Sequence, residues 1–261
     1  MNQMNKIHKK KIQYNTIIMD LLQHTFFINL EHRTDRLEHV LQELKKIHVT
    51  AQRFNAVKTA SGNIGCTLSH IKCLELAKQR HYPFVFVCED DIQFTNPQVF
   101  LENLHKFYSL YKSGFHWDVL IVGGNTCPPF QQINEFCVRT YNVQTTTGYI
   151  VQKHYYDKLI GNFKDGLQNL IREPHNKKLY SLDIYWKQLQ ATDNWFITIP
   201  LTVNQYYDYS DIEEKVVDYT QPMLDLEKRE LIAFLQKQYE KEEQEKRQKN
   251  GFNMKYYPMN G

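Results

Sequence analysis

One stretch constrains the fold of this chain more than any other. Five apolar residues, Phe84 to Cys88, run directly into the carboxylates Glu89, Asp90 and Asp91. An unbroken apolar run of this length is typical of a strand buried on both faces, as in the middle of an α/β sheet. Adjacent carboxylates cannot be buried without a cationic partner, and open α/β sheets bind ligands at the carboxyl ends of their strands. The pattern therefore has two interpretations, a divalent-metal site that holds a diphosphate or a solvated acidic turn.

The composition indicates a folded chain with free thiols. The 261 residues are 42% hydrophobic and 13% aromatic, which supports a real core, and a net charge of +3 argues against nucleic acid or an anionic membrane as the main partner. The five cysteines are odd in number, widely spaced and without a CxxC pair, which favours a reducing compartment. Because no stretch resembles a membrane span or a signal-peptide core, we expect a soluble, cytoplasmic protein.

Changes in composition divide the chain into three parts. Residues 1–22 are polar and basic and are predicted to form a tail. Residues 23–212 alternate strand and helix patterns and are predicted to form one α/β domain. Residues 213–261 are a helical extension, in which an apolar stripe from Pro222 gives way to a charged run ending at Lys249. This long helix would dock on the domain or pair with a partner, such as a second copy of the chain.

The first half of the domain begins with a strand, a charged turn and a helix. His24–Leu30 is the predicted strand, Glu31–Arg36 is the turn, and Thr34 is a plausible N-cap. The predicted apolar face of the helix comprises Leu37, Val40, Leu41, Leu44 and Ile47. This arrangement opens many nucleotide-binding units, although arginines at a helix start are usually just solvated.

Other candidate positions each have a structural and a functional interpretation. Gly62 and Gly65 open a helix whose N-terminus suits phosphate or ribose oxygens, although an ordinary capped start fits equally. His70 would more often be a structural hydrogen-bonding residue than a catalyst. Gly148, after three threonines, fits a wall that contacts sugar or a simple β-bulge, and Asp183 fits the acid preference of a first helical turn.

The order of these motifs resembles that of glycosyltransferase family 25, which includes lipooligosaccharide galactosyltransferases and collagen hydroxylysine galactosyltransferases. The resemblance covers about residues 24–212. The motifs that carry it, in chain order, are Asn29-Leu30 with Arg33 and Asp35-Arg36, Gly65–His70, Glu89–Asp91, Thr147–Tyr149, Asp183, Gln205 and Ser210–Ile212.

The resemblance implies a GT-A fold, a single α/β domain with a mixed central sheet. It also implies an inverting transfer of a hexose, galactose or glucose, from a UDP-sugar to a hydroxyl group of a glycan or hydroxylysine acceptor, usually with Mn²⁺ or Mg²⁺. The acidic triplet stands where the family has a D-x-D metal motif but is not literally D-x-D.

The same resemblance, combined with the preference of hard cations for oxygen ligands, implies roles for particular residues. Asp91 is the first choice for metal ligand and Asp90 the second, with Glu89 as a metal ligand or a partner of the ribose. Asp183 is the candidate general base and Asp211 the reserve. The residues expected to hold the nucleotide and line the donor pocket are Asn29, Arg33, Asp35, Arg36, Ser69, His70 and Gly148.

Two other classes of function compete with a transferase. One is a non-catalytic GT-A-like module kept for binding or assembly, which would show no metal-dependent binding of UDP. The other is a metal-dependent phosphoesterase, which would usually need more acids or histidines at strand ends than this sequence offers.

Overall fold

The computed structural model describes residues 20–253; residues 1–19, most of the predicted tail, and residues 254–261 lie outside the described residues. The chain divides into two compact units, and the boundary in the sequence falls between Leu226 and Glu227. The first unit therefore extends past the predicted boundary at residue 212. Leu21 and Leu22, the last residues of the segment predicted as a tail, are buried in its core.

The first unit is built on an eight-stranded mixed sheet in the order β2-β1-β3-β8-β5-β9-β7-β6. The pairs β1–β2, β1–β3 and β5–β9 are parallel, and the other neighbouring pairs are antiparallel. The sheet strands are β1 Thr25–Asn29, β2 Gln52–Asn55, β3 Phe84–Glu89, β5 Val119–Thr126, β6 Phe130–Asn134, β7 Cys137–Thr140, β8 Val143–Gln152 and β9 Trp195–Thr198. Two small antiparallel pairs join β4 Ile92–Phe94 to β10 Val203–Gln205 and β11 Asp208–Ser210 to β12 Lys215–Val217.

Helices cover both faces of the sheet, so the predicted α/β class with a mixed central sheet is confirmed. The helices of this unit are α1 Thr34–Lys46, α2 Gly62–Gln79, α3 Pro97–Lys112, α4 Tyr156–Arg172, α5 Lys177–Tyr180, α6 Leu182–Tyr185, α7 Lys187–Thr192 and α8 Thr220–Leu224. The helices α2 and α4 supply one core cluster, which includes Val85 and Val87 of β3. The helices α1 and α3 supply the other, which includes Phe84, Phe86 and Cys88. The first five residues of β3 are thus buried on both sides, as its apolar run predicts.

The start of α1 differs in detail from the prediction. Arg33 occupies the N-cap position, and Thr34 is already the first helical residue. Val40, Leu44 and Ile47 are buried as predicted, but Leu41 is 49% exposed because the buried stripe is narrower than the sequence pattern.

The sequence pattern predicts a short helix from His154 to Ile160 and a loop over residues 161–180, and this prediction was wrong. A short 3₁₀ turn over Lys153–Tyr155 leads into α4, which continues to Arg172. The positions Phe163, Leu167 and Leu170 are buried at helical spacing, and this period was hidden by the two glycines of the segment. Gly166 allows a close approach, since a Cβ there would lie 2.9 Å from the Tyr185 ring.

The predicted single helix from Pro222 is two helices. The first, α8, belongs to the first unit and buries Met223 completely. The second unit contains α9 Arg229–Asn253. In the part of the chain that the structure describes, no helix combines the length and apolarity needed to cross a bilayer.

The helical assignment of residues 161–172 predicts a large difference between two truncations. Phe163→Ala should lower the free energy of unfolding by about 3–5 kcal/mol, because it leaves a cavity beneath α4. Ile171→Ala removes a side chain that is 56% exposed on the same helix and should change it by less than about 0.5 kcal/mol. Urea denaturation of both variants is the measurement, and equal effects would contradict the packing of α4.

Candidate functional site

A cavity of about 670 Å³ lies at the carboxyl ends of β1 and β3, where the acidic triplet was expected to face a ligand. Its wall includes the N-terminal part of α2 and the segment after β10. The predicted site residues that line it are Arg36, Ser69, His70, Glu89, Asp90, Asp91 and Asp211. The volume is in the range of small-molecule and cofactor sites.

The acidic turn is held by Arg36. Its Nη1 donates to Oδ1 of Asp90 and to Oδ2 of Asp91, both at 3.1 Å, and its Nε donates to Oδ2 of Asp208 at 3.0 Å. Its Nη2 donates to the carbonyl of Tyr209 at 2.9 Å. The side chains of Asp90 and Asp91 are only 11% and 13% exposed, so the interpretation as a solvated turn is wrong.

Arg33 binds the segment 208–211 next to Arg36 and the acidic turn, and this part of the cavity wall is the acidic corner of the site. Its Nη1 donates to Asp211 and its Nη2 to Asp208, each at 2.5 Å. It also pairs with Asp35, and this interaction lowers the pKa of that carboxyl to about 2. Asp35 itself is 61% exposed and does not line the cavity.

Burial makes the two aspartates of the turn hard to ionise. Burial raises the pKa of Asp90, although Arg36 and a hydrogen bond from Nδ2 of Asn29 (2.7 Å) oppose the rise. Burial, followed by the negative charge of Glu89, raises the pKa of Asp91 to about 7. One arginine therefore does not neutralise this corner, which favours a further cation there.

Glu89 belongs to a different set of contacts, on the face of the sheet that α2 covers. Its Oε1 accepts from the Thr146 hydroxyl at 2.5 Å and from Nε2 of His70 at 3.2 Å, and its Oε2 accepts from Gln205 at 3.4 Å. Burial raises the pKa of Glu89, but the His70 and Thr146 hydrogen bonds outweigh it and leave the pKa below its usual value. Glu89 is therefore an ionised carboxylate whose oxygens already have donors.

His70 is fully buried and uses both ring nitrogens, since its Nδ1 lies 2.8 Å from the Tyr149 hydroxyl. Cys66, His70 and Glu89 lie close enough together to hold a metal ion. Burial, however, raises the pKa of the Cys66 thiol well above its usual value, and a protonated thiol is a poor ligand. We interpret this set as a hydrogen-bonded network.

The residues of the acidic turn fit a divalent cation. Oδ1 of Asp91 is buried and has no hydrogen-bond partner among the described residues, and the same holds for Oδ1 of Asn29, whose amide nitrogen binds Asp90. Unpartnered carboxylate and amide oxygens are what Mn²⁺ or Mg²⁺ prefers. Asp91, with Asp90 beside it, would hold such an ion.

Ser69 lines the cavity, but its hydrogen bonds go to the protein. Its hydroxyl accepts from the amide of Val57 at 2.8 Å and donates to the carbonyl of Gly65 at 2.7 Å. A Cβ on Gly65 would lie 2.4 Å from the Val57 carbonyl oxygen, so a glycine is needed for this close approach. Gly65 and Ser69 thus fix the loop after β2 against α2.

Besides Arg33 and Asp35, three predicted residues do not line the cavity. Gly148 faces the core, where a Cβ would meet Ile92 at 3.0 Å and Phe86 at 3.2 Å. Asn29 acts on the site through Asp90. Asp183 accepts from the amide of Thr145 at 3.0 Å, and burial raises its pKa, with the charge of Glu89 adding to the rise.

The sequence interpretation missed several residues of this corner. Lys58 and Lys177 both line the cavity and are exposed, and Asp208 shares Arg33 and Arg36. Lys58 directly follows Arg53–Val57, which the sequence pattern predicts as a short strand, so its place at a strand end was a usable signal. Lys177 lies in the segment predicted as a loop, and the pairing of Asp208 depends on how a distant part of the chain folds back.

Comparison with known proteins confirms the resemblance seen in the sequence. Residues 58–170 match the profile of glycosyltransferase family 25 (LPS biosynthesis protein), and this segment contains Gly65–His70 and the acidic triplet. A putative glycosyltransferase of Haemophilus influenzae is 28% identical over 98 residues, which are 29% of this chain and 35% of the relative. The chain thus spans about a third of the length of that relative.

The solved structures that superpose on part of this chain have low sequence identity to it. Protein A197 from STIV is 10% identical, with a TM-score of 0.44 over 74% of this chain and 93% of that chain. A Drosophila β1,4-galactosyltransferase 7 in complex with manganese, UDP-Gal and xylobiose is also 10% identical, with a TM-score of 0.37 over 76% and 72%.

The buried hydrogen bonds of Ser69 predict that its hydroxyl stabilises the site. Ser69→Ala leaves the Val57 amide without its acceptor and should lower the free energy of unfolding by about 1–3 kcal/mol. Ser109→Ala is the matched control, because Ser109 is exposed and bonds only within its own helix. Chemical denaturation compares the two, and a Ser69 variant as stable as the control would contradict this role.

Proposed function

We propose that this protein is an inverting glycosyltransferase that moves a hexose, galactose or glucose, from a UDP-sugar to a hydroxyl of a glycan or hydroxylysine acceptor, with Mn²⁺ or Mg²⁺. The observation that carries the proposal is the unpartnered buried oxygen of Asp91 at the cavity wall, beside Arg36 and within the segment that matches family 25. Asp90 and Asp91 share one arginine and therefore favour binding of a further cation. A divalent cation held there would also bind a diphosphate.

The cavity offers positive charge for the diphosphate of a donor. Arg36, Lys58 and Lys177 line it, and the N-terminus of α2 contributes the positive end of its helix dipole. A bound divalent ion would supply a Lewis acid that stabilises negative charge on the leaving diphosphate. Asp91 and Asp90 would hold that ion, while Glu89 keeps His70 and Thr146 in place.

Arg33 and Asp35 remain candidates for the uridine side, with Asn29 and Arg36 next to them. Their side chains are paired with one another or with acids of the turn and of residues 208–211. Entry of a nucleotide would exchange some of these ion pairs for contacts to ribose and phosphate.

Asp183 is the better candidate for the general base. It would accept the proton of the acceptor hydroxyl as that oxygen bonds to the anomeric carbon and the UDP oxygen leaves with the electron pair of the broken bond. Burial raises the pKa of Asp183, which strengthens it as a base. Oδ2 of Asp211, the reserve, is bound by Arg33 at 2.5 Å.

Asp91→Ala should reduce UDP-sugar turnover at least about 100-fold, because the metal loses its main ligand. Thermal unfolding should change little, since a buried carboxyl with a raised pKa contributes no net stability. Release of UDP in the presence of Mn²⁺ is the measurement. Asp157→Ala, at an acid that is 75% exposed, is the control and should retain activity. Normal turnover in the Asp91 variant would refute the metal assignment.

Titration calorimetry with UDP separates this function from a non-catalytic module. The proposal expects UDP to bind more tightly with Mn²⁺ than without it, and Asp91→Ala to remove that difference. Absence of metal-dependent UDP binding in the unmodified protein would favour a module for binding or assembly. A panel of UDP-sugars, scored by slow hydrolysis without acceptor, then selects the donor.

The pH profile of turnover distinguishes the two candidate bases. A base must be deprotonated, so kcat should fall as the pH is lowered through the pKa of Asp183, which lies above the ordinary value of 3.8. Asp183→Asn should lower kcat with little change in UDP affinity and should remove this acidic limb. Asp211→Asn should retain the limb; the opposite pattern would make Asp211 the base.

A further inference from the structure

A second cluster of metal-ligating side chains lies in the middle of the sheet, at the opposite end of the strands from the cavity. His116, Asp118 and His154 place one ligand atom each within 4.8 Å of the others. Asp118 immediately precedes β5, and His154 follows the end of β8. Because β5 runs in the same direction as β3 in the sheet, its start lies opposite the strand end that carries Glu89. The cluster is therefore separate from the candidate active site.

We propose that His116, Asp118 and His154 form a zinc site. Two imidazole nitrogens and one carboxylate oxygen are a ligand set typical of Zn²⁺, whereas Mg²⁺ and Ca²⁺ prefer oxygen alone. A site of three protein ligands leaves a fourth position for water. Because the cluster lies beyond the ends of the central strands β5 and β8, the ion would clamp the start of β5 to the segment after β8.

The distances are close to those that a tetrahedral ion needs. Metal bonds of about 2.0–2.1 Å place neighbouring ligand atoms roughly 3.3 Å apart. Nε2 of His154 lies 2.7 Å from Oδ1 of Asp118, and Nε2 of His116 lies 3.6 Å from the same oxygen. These two separations bracket the required value, and the ligand atoms of the two histidines lie within 4.8 Å of each other.

The carboxylate is fixed in an orientation that presents Oδ1 to both rings. Oδ2 of Asp118 accepts from the backbone amide of Asn194 at 2.8 Å and from its side-chain amide at 3.1 Å. The backbone of Asp118 is held on both sides, since its amide donates to Asn194 and its carbonyl accepts from Gln152. Groups that orient a ligating carboxylate in this way strengthen metal binding.

The carboxylate of the cluster is buried, whereas the two imidazole rings are exposed to solvent. The side chain of Asp118 is 8% exposed, whereas those of His116 and His154 are 69% and 45% exposed. The two rings lie 5.5 Å apart between centroids, at 30° to each other. The buried carboxylate would hold the ion, and the two exposed rings leave the cluster accessible from solvent.

The test uses the full chain, stripped with EDTA and exchanged into zinc-free buffer. Zn²⁺ binding is measured by competition with a chromophoric chelator. We expect one equivalent to bind, and His116→Ala and His154→Ala each to weaken that binding at least about tenfold. His48→Asn, at an exposed histidine outside the cluster, is the control and should bind as the unmodified protein does. Unchanged binding in both alanine variants would overturn the proposal.

Co²⁺ substitution shows which ligands hold the ion. We expect the intense visible bands of a four- or five-coordinate Co²⁺ with nitrogen and oxygen ligands, lost in the two variants. A thiolate-to-cobalt band would instead place the ion at Cys66 and overturn the assignment. Because His116 is largely exposed, its variant should fold normally, which circular dichroism checks.

Thermal unfolding provides a readout that needs no spectroscopic probe. An ion that binds only the folded state raises the Tm of the protein. Excess Zn²⁺ should raise the Tm of the unmodified protein and of His48→Asn, and should raise the Tm of both alanine variants clearly less. An equal rise in all four proteins would assign the effect to other groups and refute the clamp.

Discussion

The candidate site depends on the sharing of Arg36 among three carboxylates. Its guanidinium joins the start of α1 to the turn after β3 and to Asp208 near β11. These three segments are far apart in the chain, and a planar group with five donors can bridge them at once. Without that charge, Asp90 and Asp91 would be buried carboxylates that repel each other. The same contact holds residues 208–211 at the cavity rim.

This sharing leaves the corner short of positive charge. Asp90, Asp91 and Asp208 bring three potential negative charges to one arginine, and Arg33 divides its charge among Asp35, Asp208 and Asp211. Burial raises the pKa of Asp90 and of Asp91, and the positive charge of Arg36 does not cancel that rise. A divalent cation would remove it, and would free part of Arg36 for an anionic ligand. These electrostatics support the proposal that a metal and a diphosphate bind together beside Arg36.

Much of the fold could be predicted from local patterns. The apolar run of β3, the Asn96-Pro97 start of α3 and the paired glycines of α2 each give an unambiguous local signal, and all three elements are present. The length of α4 could not be predicted in the same way, because its glycines oppose helix propensity and only the packing of Gly166 against Tyr185 explains one of them. Contacts between distant segments, such as Arg33 with Asp211, leave no trace in a local pattern.

Of the three acids in the triplet, only Glu89 has an orientation that follows from the strand pattern of the sequence. Side chains alternate along a strand, so Glu89 must share a face with Val85 and Val87, the face that α2 covers. That alternation directs Glu89 to His70 and Thr146, whose hydrogen bonds use its oxygens. Asp90 and Asp91 lie beyond the last residue of β3, where alternation no longer decides direction. Only the folded structure, through the unpartnered oxygen of Asp91, separates the residue suited to a metal from the residue that organises its surroundings.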